Sequence, residues 1–170
     1  MNDTTLDQIL ARRDEAGGDI INVDEETVKL VIFELGGQFF AFHGSCIREI
    51  LASTTVYFVP GCPASLEGVI NVRGDIASVI RLHEMLHLRD SGNDTASSIL
   101  LGEGGGMNSG IRVDRVVDVI DAAPSSIQPP PATLPEALRA LVLGVLRIRD
   151  MTVTVLDLNK IFLDYARGLG

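Results

Sequence analysis

The chain has 170 residues, a length that suits one domain, and with 46% hydrophobic and 22% charged residues its composition is globular and not that of a disordered chain. The net charge of −9 is unevenly placed: residues 1–27 hold eight acids against two Arg, which leaves −3 for the other 143 residues. A body that near to neutrality, with 12 Lys and Arg, presents no basic patch for a phosphate backbone and argues against nucleic-acid binding. The opening M-N-D-T-T-L-D-Q-I-L lacks the basic start and apolar stretch of a secretory signal, and no run approaches the roughly 18 apolar residues of a membrane span. Cys46 and Cys62 fit neither a disulfide framework nor a C-x-x-C pair; they read as two small buried apolar residues, compatible with a reducing cytoplasm. A cytoplasmic location is the expectation.

Residues 1–27 read as a solvated, mobile acidic extension, with Leu6, Ile9 and Leu10 able to nucleate at most a short docking helix before Gly17-Gly18. From Val28 the character changes. V-K-L-V-I-F-E-L and Q-F-F-A-F are apolar strands, and Gly36-Gly37 between them is a hairpin signal, because glycine accepts the positive φ of primed turns. Residues 43–51 suggest a short turn of helix ending near Arg48-Glu49-Ile50. Pro60 and Pro63 force an extended or turning path through V-Y-F-V-P-G-C-P. Two strands then meet at a tight turn around Arg73-Gly74. Leu82, Met85 and Leu86 have the spacing of a short amphipathic helix. Residues 89–95 form a polar loop, Ser97–Leu101 a strand, and Gly102–Gly110 a flexible turn.

In G-I-R-V-D-R-V-V-D-V-I, Ile111 and Val113 alternate with Arg112 and Asp114, the pattern of a half-exposed strand. Pro129-Pro130-Pro131 is a stiff connector, and Leu134, Leu138 and Leu141 suggest about two turns of helix. M-T-V-T-V-L-D-L alternates most clearly, with Met151, Val153 and Val155 on one face. Asn159–Arg167 closes the body as a helix with Ile161, Phe162 and Tyr165 inward. The load of 16 Val and 15 Ile, in eight to ten short strands punctuated by Gly and Pro, points to a mainly β fold of barrels or a sandwich. There is no repeat of solenoid length.

Chemistry-bearing motifs are few. His83-Glu84-Met85-Leu86-His87 matches H-E-x-x-H, in which two imidazoles on one helical face hold zinc and the Glu activates water. Here Leu82, Met85, Leu86 and Leu88 claim the core, so His83, Glu84 and His87 are expected at the solvent, on a helix too short for a zincin. G-E-G-G-G-M-N-S-G lacks the Lys-Ser/Thr of a phosphate loop and reads as a hairpin loop. No G-x-S-x-G occurs, the spacing of Ser, His and Asp selects no triad, and the nearness of His43 to Cys46 in sequence marks no catalytic pair. No catalytic residue, metal site or cofactor is expected. The alternatives are a metal-dependent hydrolase built on His83, Glu84 and His87, or a stand-alone peptide-binding β-barrel module.

One combination is specific. P-x-x-P-A-S-L-E-G-V-I-N-V-R-G-D-I-A-S-V-I-R-L resembles the central signature of the CheW family of chemotaxis coupling proteins. Around it, in the family's order, stand the opening strand pair with R-E-I after it, G-I-R-V-D-R-V-V-D-V-I, and G-V-L-R-I-R-D-M-T-V-T-V-L-D-L-N-K-I-F, together covering about residues 28–165. The resemblance implies two SH3-like five-stranded barrels sharing a core, with short helices, between an N-terminal extension of residues 1–27 and a tail of residues 166–170. It implies a bacterial signal-transduction scaffold in a two-component system, not an enzyme. One surface would bind the regulatory domain of a CheA-type histidine kinase, and another the cytoplasmic tip of a methyl-accepting chemoreceptor, which would recruit the protein to membrane receptor arrays without inserting it.

Residue by residue, Glu49 and Arg73 match the family's acid and the Arg of its N-x-R-G turn, and are expected to pair and shape the receptor groove. Ile47, Ile111 and Val113 are candidates for its apolar floor. Gly68 and Gly74 match turn positions that need backbone freedom. The stretch from Val59 and Pro60 to Glu67 is the candidate kinase contact. The sequence departs from the family at Ser78, where Pro is usual, at Arg81, where Asp is frequent, at Phe39-Phe40-Ala41-Phe42, and in its acidic extension.

Overall fold

The computed structural model describes residues 26–52, 54–89 and 97–168. The expected acidic extension up to residue 25, most of the polar loop before Ser97, and the last two residues lie outside the described residues. Ten strands form two five-stranded sheets. The first, sheet A, contains β1 (Val28–Leu35), β2 (Gln38–His43), β8 (Arg115–Ala122), β9 (Val142–Ile148) and β10 (Met151–Leu156), ordered β8-β1-β2-β10-β9. The second, sheet B, contains β3 (Ile47–Leu51), β4 (Leu66–Val72), β5 (Asp75–Arg81), β6 (Ser98–Gly104) and β7 (Met107–Val113), ordered β3-β6-β7-β5-β4. Both are antiparallel except for β2 with β10 and β5 with β7. The fold is therefore mainly β, as expected. Neither ladder closes into a complete barrel, since β8 and β9 remain outer strands of sheet A, and β3 and β4 of sheet B. Helices α1 (Leu82–Met85), α2 (Glu136–Arg139) and α3 (Leu158–Gly168) fill in around them.

The continuous apolar run of β1 is explained by burial on both faces. Leu30 and Ile32 pack with Ala41, Leu146, Val153 and Val155 inside sheet A. Val31, Phe33 and Leu35 point the other way, into a core they share with Ile80, Leu100, Ile111 and Val113 of sheet B and with Leu158, Ile161, Phe162 and Tyr165 of α3. A strand with two buried faces has no place for the polar alternation of a half-exposed one. The departure at Phe39-Phe40-Ala41-Phe42 serves the same core. Phe33 lies opposite Phe40 in the ladder and stacks on both Phe40 and Phe42, with ring centroids 6.0 and 5.0 Å apart. Sheet B keeps a smaller interior of its own around Ile70, Val79 and Ile99.

Several local expectations change. The helical turn expected over residues 43–51 is a single 3₁₀ turn (Gly44–Cys46), and Ile47–Leu51 is a strand paired with β6. Gly102–Gly110 is not one loop: β6 continues to Gly104 and β7 starts at Met107, with only Gly105-Gly106 turning between them. The glycines are there for packing, since a Cβ at Gly104 would lie 2.7 Å from the side-chain oxygen of Asn159, which accepts the Gly105 N–H at 2.9 Å. The run from Gly110 to Ile120 is two strands. The chain passes from sheet B to sheet A at Asp114, whose N–H donates to the Glu34 carbonyl and whose carboxylate accepts the Gly36 N–H of the β1–β2 turn. The two-turn helix expected near Leu134–Leu141 is the single turn α2. Cys46 is half-buried and Cys62 exposed, so only the first approaches the buried thiol expected of both. The closing helix has Ile161, Phe162 and Tyr165 buried as its spacing requires.

Removing the Phe33 ring empties the centre of the shared core. Phe33→Ala is expected to cost about 3–5 kcal/mol, read as a lower urea midpoint. Burial pushes the Tyr165 phenol above its ordinary pKa, and the nearby Cys62 thiol adds to the shift. The fold thus holds the neutral phenol. Its contribution is complete below the unfolded value of about 10 and disappears as pH rises through the higher folded value. Urea midpoints measured across that alkaline range should fall less steeply for Tyr165→Phe than for the natural chain.

Candidate functional site

The β4–β5 hairpin ends in a two-residue turn, Arg73-Gly74, with φ of 51° and 92°. Positive φ at both central positions makes this a primed turn, which matches the twist of the flanking strands. Asn71 steadies it, its side-chain oxygen accepting the Gly74 N–H at 2.8 Å. The turn carries Arg73 across the open side of sheet B to β3, where Arg73 Nη2 donates to Glu49 Oε1 at 2.5 Å. β3 and β4 are the two ends of the sheet's strand order, so the expected Glu49–Arg73 pair is formed, and it spans the gap that the ladder leaves open. Arg73 is largely exposed and Glu49 only partly so. On the same strand Arg48 pairs with Glu103 at 3.1 Å, and Ile50 stands exposed.

The candidate apolar floor divides. Ile47 is half-buried at the start of β3, opposite Gly102. Ile111 and Val113 have no exposed surface at all and belong to the shared core. As direct contacts they are corrected: β7 is an inner strand of sheet B, covered on one side by α3 and sheet A, so both residues support the surface from beneath. Gly68 is likewise not a turn residue. It sits inside β4 beside a register shift, and a Cβ there would collide with the Tyr57 carbonyl where Tyr57 bridges Val69. Gly74 is the turn glycine of the two. Glu67 is already committed, because Arg112 holds its carboxylate through two nitrogens at 3.0 and 2.6 Å and reaches Ser97 with a third. Val59 is half-buried and Pro60 exposed.

The sequence reading passed over the largest exposed apolar side chains of this region. Tyr57 is 59% exposed, Phe58 76% and Ile76 68%. Tyr57 shares a face with Val69 and, through the ladder, with Ser78; Ile76 follows two residues along. The signal was alternation running on into β5, where Ile76 falls on the outward phase. Ser78, the departure from proline, hydrogen-bonds the buried Ser109 at 2.8 Å between hydroxyls.

The H-E-x-x-H motif does not assemble. His83 is buried, contrary to its expected exposure, while Glu84 and His87 are exposed. The helix ends at Met85 and His87 has φ 55°, so the second imidazole leaves the helical face that a zinc pair needs. Among the described residues no three His, Cys, Asp or Glu side chains are placed to hold a metal ion. No described helix is long and apolar enough to cross a membrane.

Residues 29–165 match the family model of the CheW-like domain. The chain is 30% identical over 144 residues to the chemotaxis protein CheW of Treponema pallidum, covering 82% of this chain and 85% of that one. It is 27% identical over 134 residues to CheW of Rhizobium meliloti, covering 79% and 86%. Among solved structures it is similar to the scaffolding protein TtCheW of Thermoanaerobacter tengcongensis, with a TM-score of 0.73 and 27% identity over 84% of this chain and 92% of that one.

Gly68→Ala should lower stability by about 1–3 kcal/mol, because the crowding is against backbone and cannot be relieved by a rotamer change. Arg73→Ala removes an exposed pair and should cost less than about 1 kcal/mol. Urea unfolding of the two variants side by side tests that order.

Proposed function

The chain belongs to the CheW-like family of chemotaxis scaffold proteins, and we propose that it couples the cytoplasmic tip of a methyl-accepting chemoreceptor to the regulatory domain of a CheA-type histidine kinase. In this role it makes and breaks no bond. It provides two surfaces, each preformed for a different protein, and it works in the cytoplasm at membrane receptor arrays. The domain that does this is residues 28–165, between an acidic extension and a short tail.

The observation that carries the reading is the Glu49–Arg73 ion pair, formed at 2.5 Å between positions 24 residues apart in the chain. As an exposed pair it adds little to stability. Its effect is geometric, because it fixes the β4–β5 turn against β3 and so sets the shape of the surface between them. The receptor contact is Glu49, Arg73 and the rim residue Ile47, carried on a rigid base that includes Ile111 and Val113. A receptor tip is helical, and a helix offers its i, i+3, i+4 face to such a groove. The kinase contact is the neighbouring surface of Val59 and Pro60, extended by exposed Tyr57, Phe58 and Ile76. Exposed aromatic side chains of this kind are enriched at protein interfaces. Glu67 and Gly68 keep β4 in register for that surface, and Gly74 holds the turn that carries Arg73.

Arg73→Glu places two carboxylates together and should abolish recruitment of receptor to a kinase–scaffold complex, while Glu49→Arg/Arg73→Glu should recover most of it. Pull-down with a receptor cytoplasmic fragment and the cognate kinase reads both. Loss in the single variant with no recovery in the double one sinks the pair, and failure of the natural chain to gather either partner sinks the coupling role.

A further inference from the structure

Two stretches of the chain follow the same course. Gly68-Val69-Ile70-Asn71-Val72-Arg73-Gly74 leads through β5 to Leu82, and Gly144-Val145-Leu146-Arg147-Ile148-Arg149-Asp150 leads through β10 to Leu158, with Val79-Ile80 in step with Val155-Leu156. Each is an antiparallel hairpin whose two turn residues have positive φ, Arg73-Gly74 in one and Arg149-Asp150 in the other. The second strand of each pairs in parallel with a further strand, β5 with β7 and β10 with β2. Each then ends in a helix, α1 or α3, whose first residue, Leu82 or Leu158, is buried in the shared core. In both, the turn arginine reaches an acid on an outer strand, Glu49 from Arg73 and Asp118 from Arg149. The two sheets share one plan, so a position at which they differ shows what a residue does beyond building it.

The residue before the helix is such a position. In sheet A it is Asp157, which caps α3: its carboxylate accepts the Lys160 N–H at 3.3 Å and its carbonyl the Ile161 N–H at 3.0 Å. In sheet B it is Arg81, whose side chain makes no capping bond. A guanidinium carries only donors and cannot cap a helix start. Arg81 also lies directly beside Arg112 in the parallel ladder of β5 and β7, where like charges disfavour the pairing. Glu67, the acid at hand, is held through two nitrogens of Arg112, and Arg81 forms no ion pair with any described residue. Its side chain is half-buried. An uncapped helix and an unanswered charge are two local costs at one residue. Local rules broken without compensation inside the fold mark functional positions.

The place of Arg81 says which function. Its N–H donates to the Ser65 carbonyl at 2.8 Å, and Ile80 lies opposite Leu66. The end of β5 is thereby tied to the loop whose residues 60–64 are all exposed, and this loop continues from the kinase contact at Val59 and Pro60. We propose that Arg81 is a specificity-determining residue of that contact, where its guanidinium meets an acidic side chain of the cognate kinase. The proposal rests on the coupling role above. Arg suits the task, since it is less strongly hydrated than Lys and its planar fork matches a carboxylate. A kinase with a basic or neutral group at this point is disfavoured by the same charge, because docking would bury it unanswered.

The test compares the natural chain with Arg81→Asp and Arg81→Gln, each unfolded in urea and each titrated onto the cognate full-length kinase. Arg81→Asp supplies a cap and removes the like charge, so its urea midpoint should rise above that of the natural chain. Its affinity for the kinase should fall roughly ten-fold or more, with Arg81→Gln between the two. Added salt should weaken kinase binding more steeply for the natural chain than for either variant. A lower midpoint for Arg81→Asp overturns the proposal, because Arg81 would then be serving the fold. Unchanged kinase affinity overturns it too, as does a loss confined to receptor recruitment, which would make the receptor the reader of the charge. Each of these outcomes leaves the coupling role standing, whereas a natural chain that gathers no kinase sinks that role and this proposal together.

Discussion

β1 is buried on both faces, and the two sheets hold together because it is. Leu30 and Ile32 complete the interior of sheet A, while Val31, Phe33 and Leu35 form the floor against which sheet B and α3 pack. A cut through the molecule between the sheets would expose the Phe33, Phe40 and Phe42 stack together with Ile111, Val113 and Phe162. Burial of that much apolar surface, at roughly 25 cal/mol per Å², far outweighs any single polar contact between the sheets. The sheets are accordingly one rigid unit, and surface features on each keep fixed positions relative to the other.

That rigidity explains how weak contacts can matter at the candidate site. The Glu49–Arg73 pair is too exposed to hold the fold, yet its two ends are presented by elements that the core already fixes. The primed turn sets Arg73, and pairing of β3 with β6 sets Glu49. Glu67 and Arg112 differ in kind. Their side chains are only 17% and 21% exposed and meet in a two-pronged contact, so they act as an internal brace for β4 and β7. A surface built in this way is preorganised, so binding requires little further ordering of its side chains.

Much of this architecture was legible in the sequence where local chemistry and tertiary context agree. Gly36-Gly37 and Arg73-Gly74 announced their hairpins, the Met151–Val155 alternation its strand, and Ile161, Phe162 and Tyr165 their helix face. The ion pair was legible through the family pattern, since no spacing rule links positions 49 and 73. Tertiary context overrode the rest. Gly102–Gly110 looked like a loop because glycine has two uses, and only the approach of Leu158 to Gly102 and of Asn159 to Gly104 shows that space was the one needed. The strand of Ile111 and Val113 looked half-exposed because Arg112 and Asp114 alternate with them, but those two polar side chains are spent on Glu67 and on the Gly36 N–H. His83 looked solvent-facing because Leu82, Met85, Leu86 and Leu88 claimed the core, but in this single turn His83 is buried beside Leu82. The exposed Tyr57, Phe58 and Ile76 went unmarked because apolar residues in a β pattern are normally assigned to the interior.

Sheet B is one uninterrupted stretch of chain, β3 to β7, whereas sheet A is divided between the beginning and the end. During synthesis on a ribosome, sheet B has all its strands once Val113 has emerged, but sheet A must wait for β9 and β10. The β1–β2 hairpin, with its four phenylalanines, therefore leaves the exit tunnel long before its parallel partner β10 exists. A nascent molecule passes through an interval in which one half can be complete while the other displays an unmatched apolar edge, and that interval is where chaperones would be needed.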